Sequence, residues 1–461
     1  MKHVSLDVFR LAPLAAVLLS CSASAAPVKI LEPAAGATVP LLTDAQKAYL
    51  AQPRDERRAH FASDGFRRKM AKSPEGARKN YWPKPVRLAW EAQDGVDYAV
   101  TVSCAKTGKS VFESTVKGGS VEVDNLEIAR NYDWTVTANG ETAKGSFATE
   151  AQAPRFIRYP GVPNVRDFGG RIGLGGKRVR QGLVIRSAGL NENATTAYYT
   201  KEELERDGKS AEIAAAAKAA QDRLAQLKAW QADPKTMDLE DAEYKEWCTR
   251  HRGEPVAKFL ASRVDKAKAS VKRGGDLKVP KGLEMGKTRV AGENGAYIRA
   301  RFGIKTDIDL RSERECYGMT GSPLGASVNW VHVSSGAYSG LQSEFGRSAF
   351  KKVFRVFLDE KNYPIDFHCI AGQDRTGSLA YILGALLGVS AEELEIDWEV
   401  TGFWNSSTWF RHETLFDKLV QGFEKKYPDG KSVTERAEAY VLSLGFTSDD
   451  IAKFRRIMLE D

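Results

Sequence analysis

Two hydrophobic periods divide the chain. At residues 86–90, 98–103, 120–123 and 132–137, apolar and polar residues alternate, and Gly, Asn or Asp bounds each run. A period of two turns one face of each run inward, so residues 85–152 read as a small β-sandwich. A second domain runs over residues 153–461. In it, residues 303–311, 328–333 and 363–367 read as strands, and 350–358 and about 376–387 as apolar helices. Strands alternating with helices predict an α/β domain, a mainly parallel sheet flanked by helices. In such sheets the ligand site lies at the carboxyl ends of the strands. Between about 191 and 295 the period lengthens: 211–230 and 239–272 carry apolar residues at helical spacing, interrupted by Pro234, Gly274-Gly275 and Pro280. This stretch reads as a helical insertion, for which a lid and a solvated decoration both remain open.

The ends of the pattern are different. Residues 27–84 begin with Pro and Gly turns and become basic and polar, an arm read as partly helical. Residues 1–26 combine Lys2 and Arg10, an apolar stretch at 11–19 and Ala23-Ser24-Ala25. That is a charged start, a short apolar core and a small-residue cleavage site, the pattern of a signal peptide. The apolar stretch is too short to span a bilayer, which takes ~20 residues. No other segment is apolar enough to cross a membrane. The expectation is an exported protein, periplasmic or secreted. Leu18-Leu19-Ser20-Cys21 offers the alternative, a lipoprotein anchored through Cys21.

Composition narrows the chemistry. With 42% hydrophobic and 28% charged residues the chain has the make-up of a folded globular protein. A net charge of +8, spread without one dominant basic run, favours anionic partners without choosing among them. The five cysteines form no C-x-x-C pair, and neither they nor the six histidines show zinc-ligand spacing. No metal or cofactor is expected. Cys104 reads as a small core residue, and Cys248 has no evident partner.

The segment His368-Cys369-Ile370-Ala371-Gly372-Gln373-Asp374-Arg375-Thr376-Gly377 leaves an apolar strand and opens an apolar helix. A loop of this length can turn successive backbone N–H groups inward, making an anion nest at the positive end of the helix. Ile370, Ala371, Gly372, Gln373 and Gly377 would line it, with Gly372 letting the backbone approach the bound oxygens. Arg375 can grip two phosphoryl oxygens with its planar fork. The nest also favours the thiolate of Cys369, the nucleophilic form.

The His-Cys-x5-Arg-Thr-Gly pattern resembles the protein tyrosine phosphatase superfamily, and the rest resembles its atypical bacterial tyrosine/lipid branch. Asn164-Val165-Arg166-Asp167-Phe168-Gly169-Gly170, Arg186-Ser187-Ala188-Gly189 and Asp309-Leu310-Arg311-Ser312 with Glu315 match further elements of that branch in order. The resemblance implies a cysteine-dependent phosphatase: Cys369 attacks phosphorus, and water hydrolyses the cysteinyl-phosphate. Thr376 would hydrogen-bond the sulfur, and His368 would orient the loop or simply pack behind it. Arg166 and Asp167, as a buried pair, would brace the loop, and Arg311 and Glu315 would likewise give structural support, with Asp309 among the supporting residues. Trp90 with Tyr132-x-Trp134 resembles a fibronectin type III-like module.

The sequence departs from the superfamily pattern twice. Many members protonate the leaving group with an Asp upstream of the nucleophile, yet residues 317–357 contain no Asp. Asp374 is therefore the candidate general acid, with a purely structural role in the loop as the alternative. Relatives commonly carry Lys where this chain has Gln373, which removes a charge suited to multiply phosphorylated substrates. The expected substrate is a phosphotyrosine peptide, with inositol phosphates or phosphoinositides as the alternative and a non-catalytic phosphate-binding protein behind both. Nucleic acid is not an expected partner.

Overall fold

The computed structural model describes residues 28–61, 81–250, 254–404 and 412–460. The signal-peptide reading and Cys21 lie outside the described residues. Among those described, no helix is long and apolar enough to cross a membrane.

Strands β1 (Ile30–Glu32) and β2 (Ala37–Val39) precede helices α1 (Asp44–Leu50) and α2 (Arg54–Phe61). Strands β3 (Val86–Trp90), β4 (Asp97–Cys104), β5 (Ser110–Lys117), β6 (Ser120–Val123), β7 (Asn131–Ala138) and β8 (Glu141–Thr149) follow. They form two sheets, ordered β1-β3-β6 and β2-β8-β7-β4-β5. Alternation does the work here: Tyr98, Val100 and Val102 on β4, with Tyr132, Trp134 and Val136 on β7, turn into one core with Trp90.

The arm is not separate from this module, contrary to the sequence reading. Ile30 pairs with Trp90, and β2 lies parallel to β8, so the first strands of the arm complete both sheets. An unpaired edge exposes a row of backbone donors and acceptors, and these short strands cover two such edges. The helical part of the arm packs elsewhere: Leu42 and Tyr49 share a buried cluster with Ile396, Val400 and Phe403.

The second domain contains β9 (Arg166–Asp167), β10 (Val184–Ala188) and then the inserted segment. In the insertion, β11 (Thr195–Tyr198) and β12 (Pro280–Glu284) enclose α3 (Lys201–Arg206), α4 (Ser210–Ala232), α5 (Ala242–Arg250) and α6 (Val256–Lys272). The insertion is thus not wholly helical. β11 and β12 pair antiparallel as a stem, with α4 and α6 packed above it around Leu227, Trp230, Phe259 and Leu260. The period read over 239–272 is broken at Pro255, the residue that caps α6. The ring there lacks the N–H a continuous helix needs.

Helix α7 (Glu293–Phe302), strands β13 (Thr306–Asp309) and β14 (Asn329–His332), helix α8 (Glu344–Phe357), strand β15 (Ile365–Cys369) and helix α9 (Asp374–Leu386) continue the second domain. Helices α10 (Ala391–Glu399), α11 (Asp417–Lys426), α12 (Val433–Leu442) and α13 (Ser448–Met458) follow. The sheet order is β14-β13-β15-β10-β9, parallel except for β9 against β10. Ser343 caps α8, and Phe350, Val353, Phe354 and Phe357 turn its apolar face onto the sheet. The central strand β15 is buried on both faces. Ile365, Phe367 and Cys369 join the main core. Asp366 and His368 therefore point to the other face.

Candidate active site

Cys369 ends β15 and α9 begins at Asp374, so the loop between them sits at the carboxyl edge of the sheet. Three consecutive carbonyls of this loop are tied to its surroundings. Gly189 N–H donates to Ile370 O at 3.1 Å, Asn164 Nδ2 to Ala371 O at 2.8 Å, and Arg186 Nη2 to Gly372 O at 2.6 Å. In a trans peptide the next N–H points opposite to the carbonyl. The amides of Ala371, Gly372 and Gln373 are therefore turned away from these anchors, toward the mouth of the loop. Gly372 has φ +65°, and a Cβ there would meet Ser187 O at 2.4 Å. Glycine is needed here to seat the loop against β10, a different reason from the approach of a ligand expected from the sequence.

Cys369 is 2% exposed, at the base of this loop. Both Arg375 and Arg186 lie within electrostatic reach of its sulfur. Arg375 is held across the loop by Glu315, with Nη1 to Oε2 at 2.7 Å and Nη2 to Oε1 at 3.1 Å, and Nη1 also reaches Leu310 O at 3.3 Å. Partial burial would push Glu315 up, but hydrogen bonds from Arg375 and Ser312 and the guanidinium charge hold it down at about 2. This fork-to-fork pair fixes the plane of the guanidinium before any ligand arrives. Ile370 is 37% exposed and gives the loop an apolar shoulder.

Asp374 is half-buried and receives a hydrogen bond from Tyr338 Oη at 2.7 Å. Trp398 Nε1 donates to the same hydroxyl at 3.1 Å. Ser378 Oγ donates to the Asp374 carbonyl at 2.7 Å and accepts from Tyr338 N–H at 2.8 Å, which closes the ring of contacts.

Several supporting residues are arranged differently from the sequence reading. Arg166 and Asp167 do not pair with each other, because neighbours on a strand face opposite sides. Asp167 instead receives Arg155 at 2.6 Å and the amides of Gly169 and Gly182, each at 2.7 Å. Arg166 reaches Asn164 Oδ1 at 2.6 Å and Asp397 Oδ1 at 3.1 Å. Asp397 also takes Arg171 at 2.8 Å and Arg186. Burial opposes its charge, yet the guanidiniums of Arg186, Arg166 and Arg171 hold its carboxyl far below the usual range.

Asp309 and Arg311 pair at 2.6 Å, with both side chains fully buried. His368 lies 2.9 Å from Asp307 Oδ1, an ion pair without the alignment of a hydrogen bond. Burial disfavours its charge, but Asp309 and Asp307 raise it to about 9. The ring thus stands in a buried carboxylate cluster behind the loop. The Thr376 hydroxyl is completely buried and makes no hydrogen bond among the described residues, to the Cys369 sulfur included. The first turn of α9 turns it into the core. Gln373 is 1% exposed, so its side chain offers no arm to a substrate, contrary to the role read from the sequence.

Asn164 and Arg186 stood inside matched motifs without an assigned role, and the structure sets both against the loop, while Glu315, expected as structural support, is set against Arg375. Asp397, Tyr338 and Trp398 carried no signal in the sequence. They reach the site only through the packing of α10 and of the turn before α8.

Residues 287–460 match the tyrosine phosphatase family. The resemblance to the protein tyrosine phosphatase superfamily holds over that span, and the activity class it supports is phosphatase. A solved structure is also similar: the core catalytic domain of the PP-IP phosphatase SIW14 from S. cerevisiae in complex with citrate. It is 17% identical, the match covers 30% of this chain and 82% of that chain, and the TM-score is 0.19. No curated protein matches the chain.

Proposed function

We propose that the chain hydrolyses phosphomonoesters, phosphotyrosine in peptides foremost, through a cysteinyl-phosphate on Cys369. The observation that carries this reading is the trio of outward-tied carbonyls at Ile370, Ala371 and Gly372, with Arg375 pre-oriented opposite by Glu315. Amides and guanidinium then converge on one anion, and their stabilisation grows as charge shifts onto the phosphoryl oxygens.

In the first step Cys369 Sγ attacks phosphorus and the bond to the leaving oxygen breaks. Asp374 supplies the proton that oxygen needs, its carboxyl positioned by Tyr338. In the second step water attacks phosphorus, the S–P bond breaks, Asp374 takes the water proton and inorganic phosphate leaves. Ile370 favours an aryl group at the mouth, and the burial of Gln373 removes an arm that a second phosphate would use. The test offers phosphotyrosine peptide, phosphoserine peptide and inositol phosphate in the presence of chelator, to this chain and to Cys369→Ser. Phosphotyrosine turnover that survives chelation and is lost in the variant supports the reading. Preference for inositol phosphate would overturn the substrate assignment.

Export belongs to the same proposal: the charged and apolar leader of residues 1–26 would carry the enzyme out of the cytoplasm. Fractionation of cells expressing the full chain tests it, and retention in the cytoplasm contradicts it.

A further inference from the structure

A cleft of about 560 Å³ separates the β-sandwich from the catalytic domain. One wall comes from the β4–β5 turn with Lys106 and Lys109, and from Asn125 to Tyr132. The other includes Leu183 and Pro364, the residues just before β10 and β15, with Arg180 and Arg301. The cleft therefore opens at the amino ends of the strands whose carboxyl ends carry the catalytic loop. Five residues of β15, at ~3.3 Å each, place it roughly 16 Å from Cys369.

Its charge is unbalanced. The lining holds Lys106, Lys109, Arg130, Arg155, Arg180 and Arg301 against Glu127 and Glu460. Both glutamates are spent on Arg130, and Arg155 is paired with Asp167 behind the wall. Lys106, Lys109 and Arg301 form no ion pair among the described residues. Arg155 and Arg301 also converge on a single acceptor, Asn125 O, at 2.7 and 3.0 Å. Two guanidiniums on one carbonyl repel each other, and burial, followed by the charge of Arg155, lowers Arg301 from its ordinary value. Such an arrangement is relieved by an anion that sits between the two domains.

We propose that this cleft is a second binding site, separate from the catalytic loop, for a compact polyanion carrying at least two phosphate groups. The volume fits a ring-bearing molecule of that kind. A nucleoside triphosphate and an inositol polyphosphate share the required chemistry. Bound there, the polyanion bridges the sandwich to the catalytic domain.

The test uses the full chain with Arg375→Met, which removes the grip of the catalytic loop on phosphate. ATP and inositol hexakisphosphate are titrated separately by calorimetry at physiological salt. Binding of at least one of them at one site per chain is expected, and the stronger binder identifies the source. Adding Lys106→Glu with Lys109→Glu, both exposed, is expected to weaken that binding at least tenfold, as is Arg301→Gln. In a chain with native Arg375 the two lysine changes are expected to leave phosphatase turnover unchanged. Absence of binding by both polyanions, or binding indifferent to the lysine and Arg301 changes, overturns the proposal.

Discussion

Arg186 joins two things that the sequence keeps far apart: it donates to the carbonyl of Gly372 at 2.6 Å and is ion-paired with Asp397. Asp397 is shared with Arg166 and Arg171, so the shape of the loop after Cys369 depends on one carboxylate on α10. The arm extends this chain of contacts, since Tyr49 and Arg57 both bond Glu399 at the end of the same helix, at 2.5 and 2.9 Å.

Asp397→Asn should therefore damage both fold and loop. Three buried guanidiniums lose their counter-charge, and breaking buried pairs of this kind costs about 3–5 kcal/mol. The expected outcome is a clear drop in melting temperature and at least a tenfold weaker inhibition by inorganic phosphate. Unchanged inhibition would detach Asp397 from the loop.

Glu315→Gln keeps the shape but removes the charge that locks Arg375. The expected loss in kcat/KM is about tenfold, equal to about 1.4 kcal/mol. Because Glu315 sits at about 2, the pair is intact at any pH above roughly 4, and the variant should differ from the parent by a constant factor there. A ratio that varies with pH between 5 and 8 would contradict this role.

Asp374→Asn should slow substrates with poor leaving groups far more than those with good ones, and Tyr338→Phe should do the same to a smaller degree. Turnover of an alkyl phosphate against a nitrophenyl phosphate measures the difference. Equal losses on both would leave Asp374 as a loop-fixing residue only.

The buried cluster behind the loop makes stability pH-dependent in a stated direction. Burial raises Asp366 to about 7 against the pull of His368, and His368 itself is raised to about 9 from 6.5. Both groups hold their protons more tightly in the folded chain than in the unfolded one. Their contribution is present at low pH and is lost as pH rises. Melting temperature should therefore fall from about pH 3.8 to 7 through Asp366 and from 6.5 to 9 through His368, and His368→Gln should flatten the fall above pH 7. A rise over this window would contradict the assignment.

The strand–loop–helix carrying Cys369 and Arg375 was legible because it is local: ten consecutive residues hold the turn, the glycine and the helix start. The mainly parallel sheet was legible for the same reason, from runs such as 363–367 next to an apolar helix. What the sequence concealed is long-range. Nothing near Asp397 marks it as the partner of three arginines from β9, β10 and the turn between them. The pairing of Arg166 with Asp167 failed because adjacency on a strand separates side chains. Thr376 and Gln373 turned inward because α9 is enclosed by packing on every side, and that enclosure comes from α10 and α12. The two strands of the arm escaped the sequence reading because they are only three residues long, too short to show a period.

The most direct test of the account is the chemical fate of Cys369 during turnover. The full chain is mixed with an aryl phosphate bearing a radiolabelled phosphoryl group, quenched in acid within the first turnover and digested. The account predicts label on the peptide containing Cys369 and none in Cys369→Ser. Label on another residue, or full turnover by Cys369→Ser, would contradict it.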